Sequence, residues 1–356
     1  MSYSILTINP GSTSTKLGLF RDTQEVLTEN ISHSAEELAP YPTITDQLDY
    51  RLQKITEFFA AHQLSDSDFS AVVGRGGLLK PVISGTYQVN MAMLDDLKNS
   101  RFGEHASNLG AILAAGIAAR ANCPAFIVDP VVVDELAPVA RLTGRPEINR
   151  RSIFHALNQK AVAKRFAKSI NRPYPELNLI VTHLGGGISV GCHHQGLVVE
   201  VNNALDGDGP FTPERAGTLP AGQFGEMILD GRITRANIGR QLAGKAGLVA
   251  HLGTNDVRQV EARMADGDAD ATAVLDAMIY NIARHIGAAA IPVCGKVDHI
   301  LLTGGIAHSR YLTEKLVKYV EFIAPVTILP GEDELQALAE GAYRVLSGEE
   351  SAREYI

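Results

Sequence analysis

Cysteine is scarce in this 356-residue chain: Cys123, Cys192 and Cys294 are odd in number, far apart and in no CxxC pair. That pattern excludes a disulfide-stapled secreted scaffold and favours reduced thiols in the cytoplasm. Surplus basic charge is also lacking, because 32 Lys and Arg face 40 Asp and Glu, a net charge of −8. Broad binding to a nucleic-acid backbone is therefore not expected, and an anionic ligand would need local positive groups. Long apolar runs are missing as well; the longest small, apolar stretch, 109–119, is about half of the ~20 residues that span a bilayer. The opening MSYSILTINPG has neither a basic n-region nor an apolar h-region, so the expectation is a cytoplasmic protein with no membrane partner. There is no HExxH and no Cys/His zinc spacing.

What the chain has is ordinary globular composition, 45% hydrophobic and 20% charged, which excludes bulk disorder, collagen and coiled coil. Its length suggests about two domains, each able to bury a core. Glycine is in surplus: 33 residues where an average chain would carry about 25. Of these, 21 fall in 151–332 and 15 crowd into 185–253. Glycine permits positive φ and close backbone approach, so this density suggests loops built around a ligand.

Strand patterns at 4–7, 16–20 and 25–31 predict an opening meander. A helix over 45–62 follows, with Leu48, Leu52, Ile55, Phe58 and Phe59 on one face. Then come a strand at 71–73, helices at 91–98 and 105–121, and a strand at 125–128. After an Arg-rich connection, a helix at 152–168 leads to strands at 178–182, 188–192 and 197–201. Helices dominate from Pro213, with strands at 299–302 and 326–329 and a last helix over 332–346. ILTINPGSTSTKLGLF (5–20) and LIVTHLGGGISVGCHHQGLVVE (179–200) are both strand, small-residue turn, strand, each early in its half. The economical reading is a duplicated α/β unit with a hairpin in each copy. The expected domains are 1–149 plus 333–356, with a returning C-terminal helix, and 150–332.

Three elements carry chemistry. The turn Asn9-Pro10-Gly11-Ser12-Thr13-Ser14-Thr15-Lys16 offers backbone N–H groups, hydroxyls and a lysine to phosphate oxygens. His183-Leu184-Gly185-Gly186-Gly187 exposes bare amides that an anion can approach without a side-chain clash. Leu302-Thr303-Gly304-Gly305-Ile306 is a strand running into a double glycine, where a flat base can lie against backbone. Two other patterns are rejected. Gly187-Ile188-Ser189-Val190-Gly191 fits the nucleophile elbow, but strand alternation continues through it. Gly239 to Ala246 fits a phosphate loop except that Ala246 removes the magnesium-binding hydroxyl and no strand precedes it, so it reads as a helix end. His193 and His194 read as exposed hairpin residues, and Asp206 and Asp208 as loop residues rather than metal ligands.

The three elements, in this order, resemble the phosphate 1, phosphate 2 and adenosine motifs of the acetate and sugar kinase, Hsp70 and actin superfamily. Within it the chain resembles the acetokinase family, its butyrate kinase branch above all. INPGSTSTK, VVGRGGLLKP (72–81), IFHALNQKAVA (153–163), THLGGGISVG, LDGDGPFTPERAGTLP (205–220), GLVAHLGTNDVR (247–258) and LLTGGIAHS carry the likeness over nearly the whole length. The resemblance implies an α/β fold of two duplicated RNase H-like (actin-like ATPase) domains around a nucleotide cleft. It implies that Asn9, Ser12, Ser14 and Lys16 line the first phosphate loop, and that Arg75 holds the substrate carboxylate or the transferring phosphoryl. Asp129 matches the magnesium-associated aspartate, His155 the histidine that stabilises the transition state, and His105 a more peripheral histidine. His183 with Gly185, Gly186 and Gly187 would contact phosphates. Asp256, Val257 and Arg258 would edge adenine and ribose, with Gly304, Gly305 and Ile306 behind them.

Three departures from acetate kinases stand out. Their second active-site arginine lies in Gly-Thr-Arg-Ser-Gly-Asp, where this chain has Gly217-Thr218-Leu219-Pro220, so Arg215 is the candidate substitute. Their Gly-Ile-Gly-Glu-Asn is here Gly305-Ile306-Ala307-His308-Ser309. Their late acidic magnesium residue falls within Glu332-Asp333-Glu334, with Asp333 and Glu334 the candidate metal residues. The expected activity is reversible, direct in-line phosphoryl transfer from ATP, with Mg2+, to butyrate or a similar short or branched fatty acid, giving acyl phosphate and ADP. Acetate or propionate kinase is the alternative, and a non-enzymatic actin-like switch the second. A homo-oligomer and domain closure over the cleft are expected.

Overall fold

The computed structural model describes residues 2–356 and divides them into two compact units, one running to Val133 and including Asp333–Ile356, the other Asp134–Glu332. In the first unit, β1 (Ser4–Pro10), β2 (Ser14–Arg21) and β3 (Gln24–Ser32) form the antiparallel meander. β4 (Ala71–Arg75), β5 (Thr86–Gln88) and β6 (Ala125–Val128) complete a sheet of order β3-β2-β1-β4-β6-β5. β4 runs parallel to β1 and to β6, and the inner strands are buried on both faces, so they read as unbroken apolar runs rather than alternations.

The helix Asn108–Ala121 crosses β4 so closely that a Cβ on Gly74 would lie 2.0 Å from the carbonyl oxygen of Gly110. A Cβ on Gly110 would lie 2.2 Å from the Arg75 carbonyl oxygen. The two glycines thus let helix and strand backbones touch, and this contact fixes the position of Arg75 at the strand end. Gly74→Ala should destabilise the fold by roughly 1–3 kcal/mol, read as a lowered melting temperature, because backbone cannot move aside as a side chain can. An unchanged melt would refute the close contact.

The returning helix Glu334–Leu346 packs across β1, β4 and β6, burying Ala337, Leu338, Ala339 and Ala342. β5, absent from the expected elements, is only three residues long; Thr86 and Gln88 exchange backbone bonds with Arg353 near the far terminus. Tertiary pairing, not local pattern, makes it a strand.

The second unit repeats the topology. β7 (Asn178–Leu184), β8 (Ile188–His194) and β9 (Leu197–Val201) form a second antiparallel meander, and β10 (His299–Gly304) and β11 (Val326–Pro330) extend it in parallel, in the order β11-β10-β7-β8-β9. Helix Ala269–Ala289 buries Leu275, Met278, Ile279, Ile282 and Ile286 against one face, where Ile180 points. Helix Ala156–Ser169 buries Val162, Ala163, Phe166 and Ala167 against the other, where Leu179 and Val181 point. At ~1.5–3 kcal/mol per fully buried large side chain, this two-sided core holds the β7–β8 turn firmly.

The boundary differs from the expected 149/150. Residues 134–149 lie with the second unit because Glu135 pairs with Lys160 at 2.6 Å and accepts the Val198 N–H at 2.7 Å, and the Ala137 N–H donates to the Val199 carbonyl. The elbow-like pattern lies within strand β8, and the loop-like pattern forms helix Ile238–Leu242, so neither rejected motif takes its motif geometry. No helix of the described residues is long and apolar enough to cross a membrane.

Candidate functional site

In the first unit, the β1–β2 turn rests on Arg51, a guanidinium fully buried beneath it. Arg51 donates to the carbonyls of Gly11 (2.9 Å), Ser12 (3.2 Å) and Ser14 (2.8 Å) and to the Thr15 hydroxyl (3.0 Å). Its other donors reach Gln47 Oε1. Burial pulls its pKa down to about 10, so it keeps its charge at neutral pH. Among the described residues it has no carboxylate partner; only dipoles balance the charge. Above it, Ser12 and Lys16 are exposed and Ser14 is half-buried. Arg51→Met would leave several acceptors unsatisfied, at about 1–3 kcal/mol each when buried. A net loss of roughly 2–3 kcal/mol in thermal melts is expected, together with a raised KM for ATP; unchanged values would show that the turn stands alone.

His33 braces the same turn. Its Nε2 lies 2.8 Å from Thr15 Oγ1 and its Nδ1 3.1 Å from the Tyr50 hydroxyl. Burial, and then the Arg51 charge, lower its pKa from 6.5 to about 4. The folded protein thus binds this proton less readily than the unfolded chain. The associated stability is complete above pH ~6.5 and is lost as pH falls toward ~4. His33→Asn should flatten the fall in melting temperature between pH 6.5 and 4.5; a slope equal to wild type would contradict this.

At the ends of β1 and β4, Arg75 Nη1 donates to Asn9 Oδ1 at 3.2 Å and pairs with Glu334 Oε1 at 3.0 Å. Glu334 Oε2 accepts from Asn9 Nδ2 and from Arg75. Both Glu334 oxygens are therefore taken, and a metal there would have to displace Arg75 or Asn9. Asp129, buried at the end of β6, has φ 37° and accepts the Gly85 N–H at 2.6 Å. Asp333, with φ 36°, begins the returning helix. Non-glycine residues held at positive φ mark positions the surrounding structure over-determines. No cluster of three or more His, Cys, Asp or Glu suited to a metal occurs among the described residues. A magnesium ion does not need such a cluster, since it takes hard oxygen ligands such as the Asp129 carboxylate and fills its remaining positions with water and phosphate. His105 is exposed and bonded to Ser107.

The second turn has its own arginine. A Cβ on Gly187 would lie 2.1 Å from Arg215 Nη1, so glycine leaves room for the guanidinium there and a side chain would make it shift. Arg215 also donates to the Ala204 carbonyl, and Thr212 Oγ1 donates to the Gly186 carbonyl at 2.6 Å. Burial lowers the Arg215 pKa against the raising influence of Glu214 and Asp206. Each unit therefore sets a cation behind its hairpin turn.

Beside this turn, His155 begins helix Ala156–Ser169 and stacks on His183, ring centroids 3.8 Å apart and planes 13° apart. His155 Nδ1 lies 2.9 Å from Ser189 Oγ, and His183 Nδ1 2.9 Å from Asn158 Oδ1. His183 Nε2 lies 3.7 Å from a Glu332 carboxylate oxygen.

The expected nucleotide-edge residues divide. Asp256 caps helix Val257–Ala265 through the Arg258 N–H and also pairs with the exposed Arg258 side chain at 2.8 Å. Val257 is buried in the core, so its side chain does not face a ligand. Gly304 has φ 93°, and a Cβ there would meet the Leu184 carbonyl oxygen at 2.3 Å; Gly305 faces open space, and Ile306 packs partly against the core. His193 corrects the sequence reading: it is fully buried, not exposed. Asp208 is bound to the Asn203 N–H and lies 3.5 Å from Arg150, as a loop brace. Arg51, Glu334's pairing with Arg75, and the Ser189 and Gln159 contacts behind His155 were not singled out from sequence. The signal for Arg51 was present, since it falls on the apolar face of its helix between Leu48 and Ile55.

A family model described as the acetokinase family matches residues 142–352. Among solved structures, the acetate kinase of Porphyromonas gingivalis superposes with a TM-score of 0.76 at 16% identity, covering 96% of this chain and 99% of that one. The acetate kinase of Entamoeba histolytica gives 0.74 at 16%, covering 95% and 98%. A propionate kinase from Francisella tularensis gives 0.70 at 18%, again covering 95% and 98%. At these identities the superpositions show a shared two-domain, actin-like fold.

Proposed function

The chain belongs to the acetokinase family, and from that premise we propose that it is a carboxylate kinase, transferring the γ-phosphoryl of ATP to a short fatty acid. The observation that carries this reading is the repeated device of a hairpin turn backed by an arginine, the buried Arg51 in one unit and the half-buried Arg215 in the other. Such turns give phosphates backbone donors and positive charge.

A short-chain carboxylate has a pKa near ~4.8, so at neutral pH it is already a nucleophile and no general base is needed. The remaining task is to align two anions and neutralise the equatorial phosphoryl oxygens. Asn9, Ser12, Ser14 and Lys16 bind phosphate at the first turn, and His183 with Gly185, Gly186 and Gly187 at the second. Arg75 exchanges its Glu334 partner for the substrate carboxylate or the phosphoryl group, and His155 donates to the phosphoryl oxygens. Arg215 takes the place of the second arginine of acetate kinases. Gly304 and Gly305 lie behind the base, with Asp256 and Arg258 at its edge. Asp129, with Asp333 at the start of the returning helix, would hold magnesium, which would screen the phosphate charge.

For the acceptor we propose butyrate or a similar short or branched acid, because Gly217-Thr218-Leu219-Pro220 and Gly305-Ile306-Ala307-His308-Ser309 depart from the acetate kinase patterns. The solved relatives, named for acetate and propionate, favour those acids as the second reading. Trapping the acyl phosphate with hydroxylamine along a series from acetate to hexanoate tests both levels. The expected optimum is at four carbons. An optimum at acetate overturns the acceptor, and no hydroxamate with any acid overturns the kinase reading. A cytoplasmic, homo-oligomeric enzyme is part of this proposal.

A further inference from the structure

The pattern Gly187-x-Ser189-x-Gly191 has no role as a nucleophile elbow, yet Ser189 and Gly191 face a single buried polar chain. Ser189 and Gly191 lie two apart on β8 and so point to the same side of the sheet, toward helix Ala156–Ser169. A Cβ on Gly191 would lie 2.4 Å from Gln159 Oε1, so glycine makes room for that amide. Ser189, Gln159 and His193 are all fully buried.

The directions of the Gln159 hydrogen bonds follow from which atoms can only accept. The Ser189 carbonyl accepts, so the nitrogen of the Gln159 amide faces it at 3.0 Å, and that NH2 also donates to Ser189 Oγ at 2.8 Å. Gln159 Oε1 then accepts, so the His193 nitrogen 3.0 Å away, Nε2, carries a proton. Burial, and then the Lys160 charge, push the His193 pKa well below its usual value and hold the ring neutral. Lys160 is itself tied to Glu135 at 2.6 Å and to the Gly196 carbonyl at 2.8 Å. With its one proton on Nε2, His193 accepts at Nδ1 from the Tyr174 hydroxyl, 2.7 Å away. At the other end Ser189 Oγ receives the Gln159 N–H and, at 3.5 Å, the His155 backbone N–H, which fills its two acceptor positions and leaves its own proton for His155 Nδ1 at 2.9 Å.

We propose that Tyr174, His193, Gln159 and Ser189 form a one-way hydrogen-bond relay that fixes the neutral His155 imidazole with its proton on Nε2. They are positioning residues; the stacked His183 ring sets the plane of His155, and the relay sets its tautomer. Charged and titratable groups around the two rings include Lys160, Glu135 and Tyr174 at His193, and His183 with Glu332 beyond it at His155. An imidazole in this tautomer offers an N–H to a phosphoryl oxygen, whereas the other tautomer would turn a lone pair toward an anion. The functional consequence rests on the carboxylate kinase reading; the tautomer does not.

Long-range 1H–15N NMR of the full-length protein labelled at histidine reads the tautomer directly, with His155 assigned by its loss in His155→Gln. Wild type is expected to carry the neutral proton on Nε2. Ser189→Ala and Gln159→Leu should move the population toward Nδ1–H and lower kcat by about 10–100-fold with KM for ATP within about twofold. Ser189→Thr, which keeps the hydroxyl, should restore both. A wild-type ring protonated on Nδ1 overturns the relay without any variant, as does Ser189→Ala with wild-type spectrum and kcat. If wild type forms no acyl phosphate, the kinase reading fails, while the spectrum still decides the relay.

Discussion

Replacing Arg75 with alanine is expected to lower kcat for acyl phosphate formation by about 10³-fold, the scale on which an arginine clamp on a transferring phosphoryl group acts. The expectation comes from how the side chain is held. Asn9 and Glu334, 66 and 259 positions away, converge on one guanidinium nitrogen, and the close Gly74–Gly110 contact fixes the backbone beside it. Glu334 keeps the cation in place and leaves when a second anion competes for it. Arg75→Lys should recover little, because an ammonium lacks the planar fork that meets a carboxylate or phosphoryl group at two points. Circular dichroism and melting temperature should stay near wild type, since Arg75 is only half-buried. Activity within about threefold of wild type would remove Arg75 from the reaction.

The second large effect is expected at His155. His155→Ala should cost about 10²–10³-fold in kcat, as for the loss of one donor aimed at developing charge. The two amide substitutions should differ. A glutamine amide reaches the place of the imidazole Nε2, while an asparagine amide overlaps Nδ1, so His155→Gln should retain more activity than His155→Asn. The reverse order would mean that the working nitrogen is Nδ1, and would contradict both the assigned role and the relay behind it.

Much of this organisation was legible in the chain. The two strand–turn–strand segments predicted the duplicated meanders, and the sheet orders correspond over five strands, β5 alone having no counterpart. Local pattern sufficed because each hairpin is closed by its own turn and each inner strand is apolar. The attachment of 134–149 was not legible because it depends on long-range pairs such as Glu135 with Lys160. His193 was misread for a related reason: the end of a hairpin strand is ordinarily exposed, but Tyr174 and Gln159 close over this ring from elsewhere in the chain. Arg51 was passed over because a charge within an apolar stripe has no local partner to reveal its task; its acceptors lie about 40 residues earlier, in the turn it supports. Glycines were visible as a surplus, but their separate uses were not. Gly187 makes space for Arg215, Gly191 for Gln159 and Gly74 for a helix.

The central claim is that the bound phosphate chain of ATP is presented to a carboxylate. Phosphorus NMR of the protein with Mg-ATP, recorded with and without butyrate, tests it most directly. The account predicts acyl phosphate and ADP in equal amounts, formed only when the carboxylate is present. Inorganic phosphate released at the same rate with or without butyrate, or ATP left unchanged, would contradict it and favour a nucleotide switch on the same fold.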